Sequence, residues 1–201
     1  GLGSSGAITA AIYDLFVLDE KRASDTSLLK EDLLGIESYF HGVSSGIDPL
    51  VIYLNQSIHI DEDVIHILED NIDLSHYFLI DTGISRKTSP FVKQYIDRAQ
   101  DESYLSSIDR YKKMCSAAIA AQMNDNQASL CAAISDISHW QYEYLDFAIL
   151  DDYRDLWKDT LDRDNLSIKL CGAGGGGFLL GYAEDVDRAI TEYNKYKLIR
   201  L

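Results

Sequence analysis

The sequence predicts an α+β protein with an antiparallel sheet. Three observations carry that reading. Residues 89–149 have helical periodicity broken at only two places. The last 35 or so residues alternate strand-like and helical runs. Between two of those strands lies only the glycine run 172–177, too short for the crossover that parallel neighbours need.

Each element follows in order. Gly1-Leu2-Gly3-Ser4-Ser5-Gly6 feeds an apolar helical run from Ala7 to Phe16, with alanines at close-packing positions. A Gly/Ser loop entering a buried helix offers free N–H groups at a dipole-positive end, which suits an anion. Such a loop normally joins two elements, so the sequence is read as a piece lacking its natural N-terminal segment. After a polar link over 19–30, a second helix is expected at about 31–40 and a structured loop over 41–49. Strand-like runs follow at 50–54, 57–60 and 77–80, the last ending in the turn Asp81-Thr82-Gly83. Three helices fill 89–149, separated near Asp101 and at 124–126, with the Ala-rich stretch 114–123 suggesting close helix contact. A helix at 153–161 leads to strand 167–170, glycine loop 172–177, strand 178–182, helix 186–193 and strand 197–201.

Composition narrows the function. In 201 residues, 18 Lys+Arg face 33 Asp+Glu for a net charge of −15, and no basic cluster exists to neutralise phosphates. Nucleic acid is excluded as a partner. No apolar run is long enough for a membrane span, and no basic n-region with a short apolar stretch is seen, so neither a membrane nor a secretory role is expected. Cys115, Cys131 and Cys171 are odd in number and far apart, which suits buried apolar roles in a reducing compartment. A cytoplasmic enzyme or binding protein with no membrane partner is the expectation.

Two stretches match G-x-G-x-x-G: Gly1, Gly3, Gly6 and Gly172, Gly174, Gly177. The dinucleotide fingerprint needs strand, loop, helix and then an acidic residue at the end of the next strand. The second match runs into a strand, and the first has only Asp19 and Glu20 at its helix end. Neither carries the Gly-Lys-Ser/Thr of a P-loop. Five glycines within 172–177 still require either repeated positive φ or an approach too close for a Cβ. A tight hairpin packed on a helix would satisfy this, and so would a phosphate or substrate against the backbone with Lys169 near the entrance.

The segment from Glu37 to Asp48 is the most informative. Glu37 and His41 share one helix face, and Asp48 follows beyond a Ser/Gly turn. Phosphoryl transfer needs oxygen ligands for a divalent metal and a group to orient or deprotonate the nucleophile. Glu37 with a hydroxyl of Ser4 or Ser5 supplies the first, and Asp48 the second. His41 is read as fixing the loop through its ring N–H groups. His59, His66, His76 and His139 are read as surface or core residues without a ligand role, and Trp140 and Trp157 as core.

Gly1-Leu2-Gly3-Ser4-Ser5-Gly6 resembles the second motif of the GHMP kinase superfamily, and Lys169-Leu170-Cys171-Gly172-Ala173-Gly174-Gly175-Gly176-Gly177 its third. Glu37-x-x-x-His41-Gly42-x-x-Ser45-Gly46-x-Asp48 and Ile80-Asp81-Thr82-Gly83-Ile84-Ser85-Arg86-Lys87-Thr88 are similar to mevalonate kinase segments. The resemblance covers essentially the whole chain. It implies a two-layer GHMP fold: 1–75 the remainder of an ATP-binding domain, and 76–201 a C-terminal domain whose ferredoxin-like antiparallel sheet packs with helices. It implies ATP and Mg2+, with Ser5 and Glu37 as metal ligands and Asp48 as the catalytic carboxylate. Gly1, Gly3, Ser4, Ser5, Gly6, Gly174 and Gly175 would face the nucleotide. His41, Ser45, Thr82, Gly172 and Ala173 would face the acceptor.

The implied reaction moves the γ-phosphoryl group of ATP to the primary hydroxyl of mevalonate, a step of isoprenoid precursor synthesis. Alternatives are a related kinase acting on phosphomevalonate, a sugar or homoserine, and a non-catalytic ligand-binding relative. Asp48 argues against the homoserine type, and a phosphorylated acceptor would call on Arg86, Lys87 and Lys169. Members often form dimers, which leaves a homodimer open. Two departures stand out: the first motif, with a lysine that partners the catalytic Asp, is absent, and Gly6 stands where the family usually has Ala. The absent lysine makes the piece as given an expected inactive one.

Overall fold

Apolar side chains collect in separate places, and the chain divides accordingly into two compact units, Leu2–Ile72 and Asp73–Leu201. The computed structural model describes residues 3–17, 24–42, 44–61, 64–69, 72–85 and 89–201, with the side chains of His41, Ser89 and Pro90 left aside. Gly1, Arg86 and Lys87, and residues 19–23 of the polar link, lie outside the described residues.

The smaller unit contains helices α1 (Ser4–Phe16), α2 (Thr26–His41) and α3 (Ile47–Leu54) and a hairpin of β1 (Ile58–Asp61) and β2 (Val64–Ile67). Tyr13, Leu29, Leu33 and Leu50 form its core, with Tyr53, Ile58 and Ile65 packed against them. Helix α2 starts five residues before the expected 31, because the Asp25 carboxylate caps it by accepting from the Ser27 and Leu28 N–H groups at 3.0 and 3.1 Å. The strand expected at 50–54 is helix. Val51, Ile52 and Tyr53 favour a strand locally, but Gly46 at φ 70° starts a helix that sinks the fully buried Leu50 into the core. Pro49 lies in the first turn, where its missing N–H costs nothing. Strand β2 was not expected from the sequence; it pairs with β1 in the register Ile58↔Ile67, His59↔His66, Ile60↔Ile65, Asp61↔Val64.

The larger unit is built on a four-stranded antiparallel sheet of β3 (Tyr77–Asp81), β4 (Leu166–Leu170), β5 (Phe178–Ala183) and β6 (Lys197–Arg200), in the order β4-β5-β3-β6. Because β5 is antiparallel to both β3 and β4, those two run parallel on either side of it, a split β-α-β arrangement. The helices of this unit are α4 (Ser89–Arg98), α5 (Glu102–Met123), α6 (Gln127–Tyr144), α7 (Asp151–Leu161) and α8 (Val186–Glu192). Asp101 and Asn126 cap α5 and α6 with their side chains, at the two breaks the sequence shows. This βαββαβ layout with antiparallel strands is the ferredoxin-like sheet expected from the resemblance.

Trp157 is fully buried among Phe78, Ile80, Leu156, Ile168 and Leu170, and its indole N–H donates to Ser138 Oγ at 3.0 Å. Trp140, 2% exposed, stacks on Tyr111 and Tyr144. Ala121 of the Ala-rich stretch meets Leu130, Cys131 and Ile134. No helix among the described residues is long and apolar enough to cross a membrane.

Candidate functional site

In the smaller unit, three short sequence segments converge. Gly3 (φ 74°) and Gly46 (φ 70°) begin α1 and α3, and neither glycine offers a side-chain cap; the first turn of α1 keeps its N–H groups for a ligand, whereas in α3 Ser45 Oγ takes the Ile47 N–H and Pro49 has none. The two helix starts lie against each other. A Cβ on Gly6 would stand 2.9 Å from Pro49 N and 3.2 Å from Asp48 Cβ, which gives the physical reason for glycine where the family usually has alanine. On the outside of that contact, Asp48 and Ser4 are exposed.

Glu37 lies in the last two turns of α2 and is only 7% exposed. Its Oε1 accepts from Ser5 Oγ at 3.1 Å, and its Oε2 accepts from Ser44 Oγ. Ser44 in turn accepts from the Gly46 N–H at 2.9 Å, which ties the carboxylate to the start of α3. A buried carboxylate held by two hydroxyls is a set of hard oxygen donors beside two dipole-positive helix ends. Among the described residues no three His, Cys, Asp or Glu side chains cluster. The Glu37 carboxylate and the serine hydroxyls are of the oxygen type that Mg2+ takes, one or two carboxylates with phosphate and water completing the shell.

The sequence-derived residues fall into place unevenly. Gly3, Ser4, Ser5, Gly6, Glu37, Ser45 and Asp48 are gathered in this unit. Ser45 is exposed, its hydroxyl accepting from the Ile47 N–H at 3.3 Å. Gly1 and the His41 side chain lie outside the described residues. Ser44 was missed: the Ser44-Ser45 pair is visible in the sequence, but nothing there says which serine turns inward.

In the larger unit, the glycine run joins β4 to β5. Gly172, Gly174, Gly175, Gly176 and Gly177 all have positive φ, from 70° to 135°. A Cβ would also lie 2.6 Å from Ala148 O at Gly174, 2.1 Å from the Phe91 ring at Gly175 and 2.7 Å from Ile84 O at Gly176. Both physical reasons for the glycines thus hold together. Backbone bonds fix the loop: Gly175 N–H donates to Ala148 O at 2.7 Å and Gly177 N–H to Ile84 O at 2.8 Å. Thr82 clamps its far end, its N–H and hydroxyl both donating to Gly177 O at 2.9 and 2.7 Å.

The near end is held by Gln141, a residue the sequence did not single out. Only 3% exposed, it accepts from the Leu170 N–H at 2.8 Å and donates to Tyr111 OH at 2.9 Å. Lys169 Nζ donates to Leu170 O at 2.9 Å. Gly172 and Ala173 border an apolar cavity of about 200 Å³ lined by Phe91, Tyr95 and Phe147. Asp81, at the head of the Thr82 turn, accepts from Lys197 Nζ at 2.6 Å and from the Gly83 N–H at 2.9 Å. The Lys197 bond holds its carboxyl below the ordinary value, with the Gly83 N–H adding to the effect.

No sequence-family model matches the chain, and no curated protein matches it. Solved structures do. The mevalonate kinase of L. major, crystallised in complex with R-mevalonate, superposes with a TM-score of 0.68 at 16% identity. The mevalonate kinase from methicillin-resistant Staphylococcus aureus MRSA252 does so with a TM-score of 0.62 at 22% identity. Each likeness covers 98% of this chain and 65% of the other, so the chain spans just under two thirds of these proteins' length. The fold of this chain is that of these two mevalonate kinases.

Proposed function

We propose that the full-length protein transfers the γ-phosphoryl group of ATP to the primary hydroxyl of mevalonate. The observation that carries this reading is the buried Glu37 carboxylate, tied through Ser5 and Ser44 to two helix starts in a fold shared with mevalonate kinases. Ser5 and Glu37 would hold Mg2+. When bound, that ion offsets charge on the nucleotide phosphates. Gly3, Ser4, Ser5 and Gly6 present N–H groups of a helix start to the phosphates, where the helix dipole favours negative charge. Gly1 is proposed as a further nucleotide contact on the resemblance alone.

Asp48 is exposed at the first turn of α3, and as a carboxylate it accepts the hydroxyl proton or orients the hydroxyl for attack. Gly174 and Gly175 are proposed as nucleotide contacts, and His41, Ser45, Thr82, Gly172 and Ala173 as acceptor contacts, on the resemblance alone. Residues 2–72 are on this reading part of the nucleotide-binding domain. Phosphoryl transfer of this kind depends on positioning and charge stabilisation, and rigid anchoring of Glu37 and of the glycine loop supplies the positioning. A cytoplasmic location follows from the same reading.

Release of ADP by the full-length protein, with mevalonate, phosphomevalonate, galactose and homoserine offered in turn, tests it. Turnover confined to mevalonate supports the proposal. Turnover on another acceptor reassigns the substrate, and nucleotide binding without turnover on any of them makes the protein a non-catalytic relative.

A further inference from the structure

The hairpin β1–β2 carries an arrangement unrelated to phosphoryl transfer. Side chains alternate between its two faces. Ile58, Ile60, Ile65 and Ile67 share one face, from which Ile58 and Ile65 pack on the core of the smaller unit. His59, Asp61, Val64 and His66 share the other. His59 and His66 are direct cross-strand partners, so the register places two imidazoles side by side on a face turned away from that core. They stand seven positions apart in the sequence, and no spacing rule draws attention to the pair.

The ring centroids stand 6.0 Å apart with planes inclined by 29°. A metal–imidazole bond of about 2.0–2.1 Å puts an ion about 3.2 Å from a ring centroid, so two rings sharing one ion stand at most about 6.4 Å apart. The observed spacing is within that reach. The terminal torsion of histidine is broad, so each ring is free to turn toward its neighbour. His76 and His139 each have a ring nitrogen against a backbone carbonyl, at 3.1 and 2.9 Å. Among the described residues, no such bond occupies His59 or His66.

We propose that His59 and His66 form a two-imidazole clip for one borderline transition-metal dication of the Zn2+, Ni2+ or Cu2+ class. Imidazole nitrogens select these ions over Mg2+ and Ca2+, which take oxygen ligands. Asp61 lies two residues along on the same face and is exposed, but it does not join the two rings as a third ligand, so water completes the shell. The acidic run Asp61-Glu62-Asp63 and the net charge of −15 raise the local cation concentration. A bound ion would cross-link the strands and stabilise the smaller unit, since it binds only the folded register.

The test is calorimetric titration of the untagged full-length protein with ZnCl2, in excess Mg2+ so that oxygen sites are filled. Imidazole proton resonances are followed in parallel. The expected result is one site per chain, with shifts of the His59 and His66 resonances and a raised melting temperature. His59→Gln and His66→Gln should each weaken binding by about tenfold or more, while His139→Gln leaves it unchanged. Both substituted residues lie on the outer face, and an unchanged metal-free melting temperature verifies that the variants fold. Absence of binding, or binding that persists in the His59→Gln/His66→Gln double variant, overturns the proposal.

Discussion

Ser5 Oγ donates to Glu37 Oε1 across 3.1 Å, joining the first turn of α1 to the last turns of α2. The bond matters because Glu37 is buried, and a buried carboxylate needs partners for its lone pairs. Ser5 and Ser44 provide them, and the side chain is held where a dication can share it.

Glu37→Gln tests that role. The amide keeps the size of the side chain and can still accept from one serine, so the fold should persist. Its loss of charge should raise the Mg2+ concentration for half-maximal ADP release by about tenfold or more. A magnesium titration that coincides with the unaltered protein's would remove Glu37 from the metal shell.

Gly176 separates backbone strain from crowding. At φ 135° and with Ile84 O 2.7 Å from an added Cβ, Gly176→Ala should cost about 2–4 kcal/mol in denaturant unfolding. Gly83 also has positive φ, 65°, but nothing lies within 4 Å of its added Cβ. Gly83→Ala should therefore cost only about 1 kcal/mol. Equal losses for the two variants would show that the contact with Ile84 is unimportant.

Gln141 anchors the chain where it enters the glycine loop. Replacing it with leucine leaves the Leu170 N–H buried without a partner and removes the bond to Tyr111. Gln141→Leu should lower stability by about 1–3 kcal/mol, measured by denaturant unfolding. Because the loop loses its fixed start, turnover should fall as well, and a fully active variant would separate the anchor from catalysis.

Lys197 and Asp81 give a pH signature. The lysine holds the Asp81 carboxyl below its ordinary value of 3.8, so the pair stabilises the fold above that value. The contribution is lost as pH falls through the lower folded value. In Lys197→Met, the carboxyl resonance of Asp81 should titrate at higher pH, and acid unfolding should begin earlier. Its titration midpoint in the variant, followed by carbon NMR, decides the matter; no upward movement would mean that the Gly83 N–H alone sets it.

Much of this molecule is legible in the sequence because local and tertiary preferences agree. Asp101 and Asn126 signal helix starts, and the breaks fall where they stand. The glycine run between two apolar strands reads as a tight antiparallel connection, and it is one. Legibility fails where tertiary contact overrules local preference. Val51-Ile52-Tyr53 reads as strand but is helix, because Leu50 is needed in the core and Gly46 with Pro49 starts the turn. The two-serine grip on Glu37 is half legible: Ser5 stands in a recognisable loop, whereas nothing in the sequence distinguishes Ser44 from Ser45. Gln141 carries no sequence signal, since a polar residue on a helix gives no sign that it will meet a strand end 29 residues later.

Asp48 is exposed at the start of α3, beside Gly6. The most direct measurement compares turnover and ATP binding in the full-length protein and its Asp48→Asn variant, with mevalonate as acceptor. With Asp48 as the catalytic carboxylate, kcat should fall by about 10²–10⁴-fold with ATP affinity nearly unchanged, since the amide neither accepts the hydroxyl proton nor disturbs the helix start. Turnover that survives within a few-fold would contradict it, and Asp48 would not be the catalytic carboxylate.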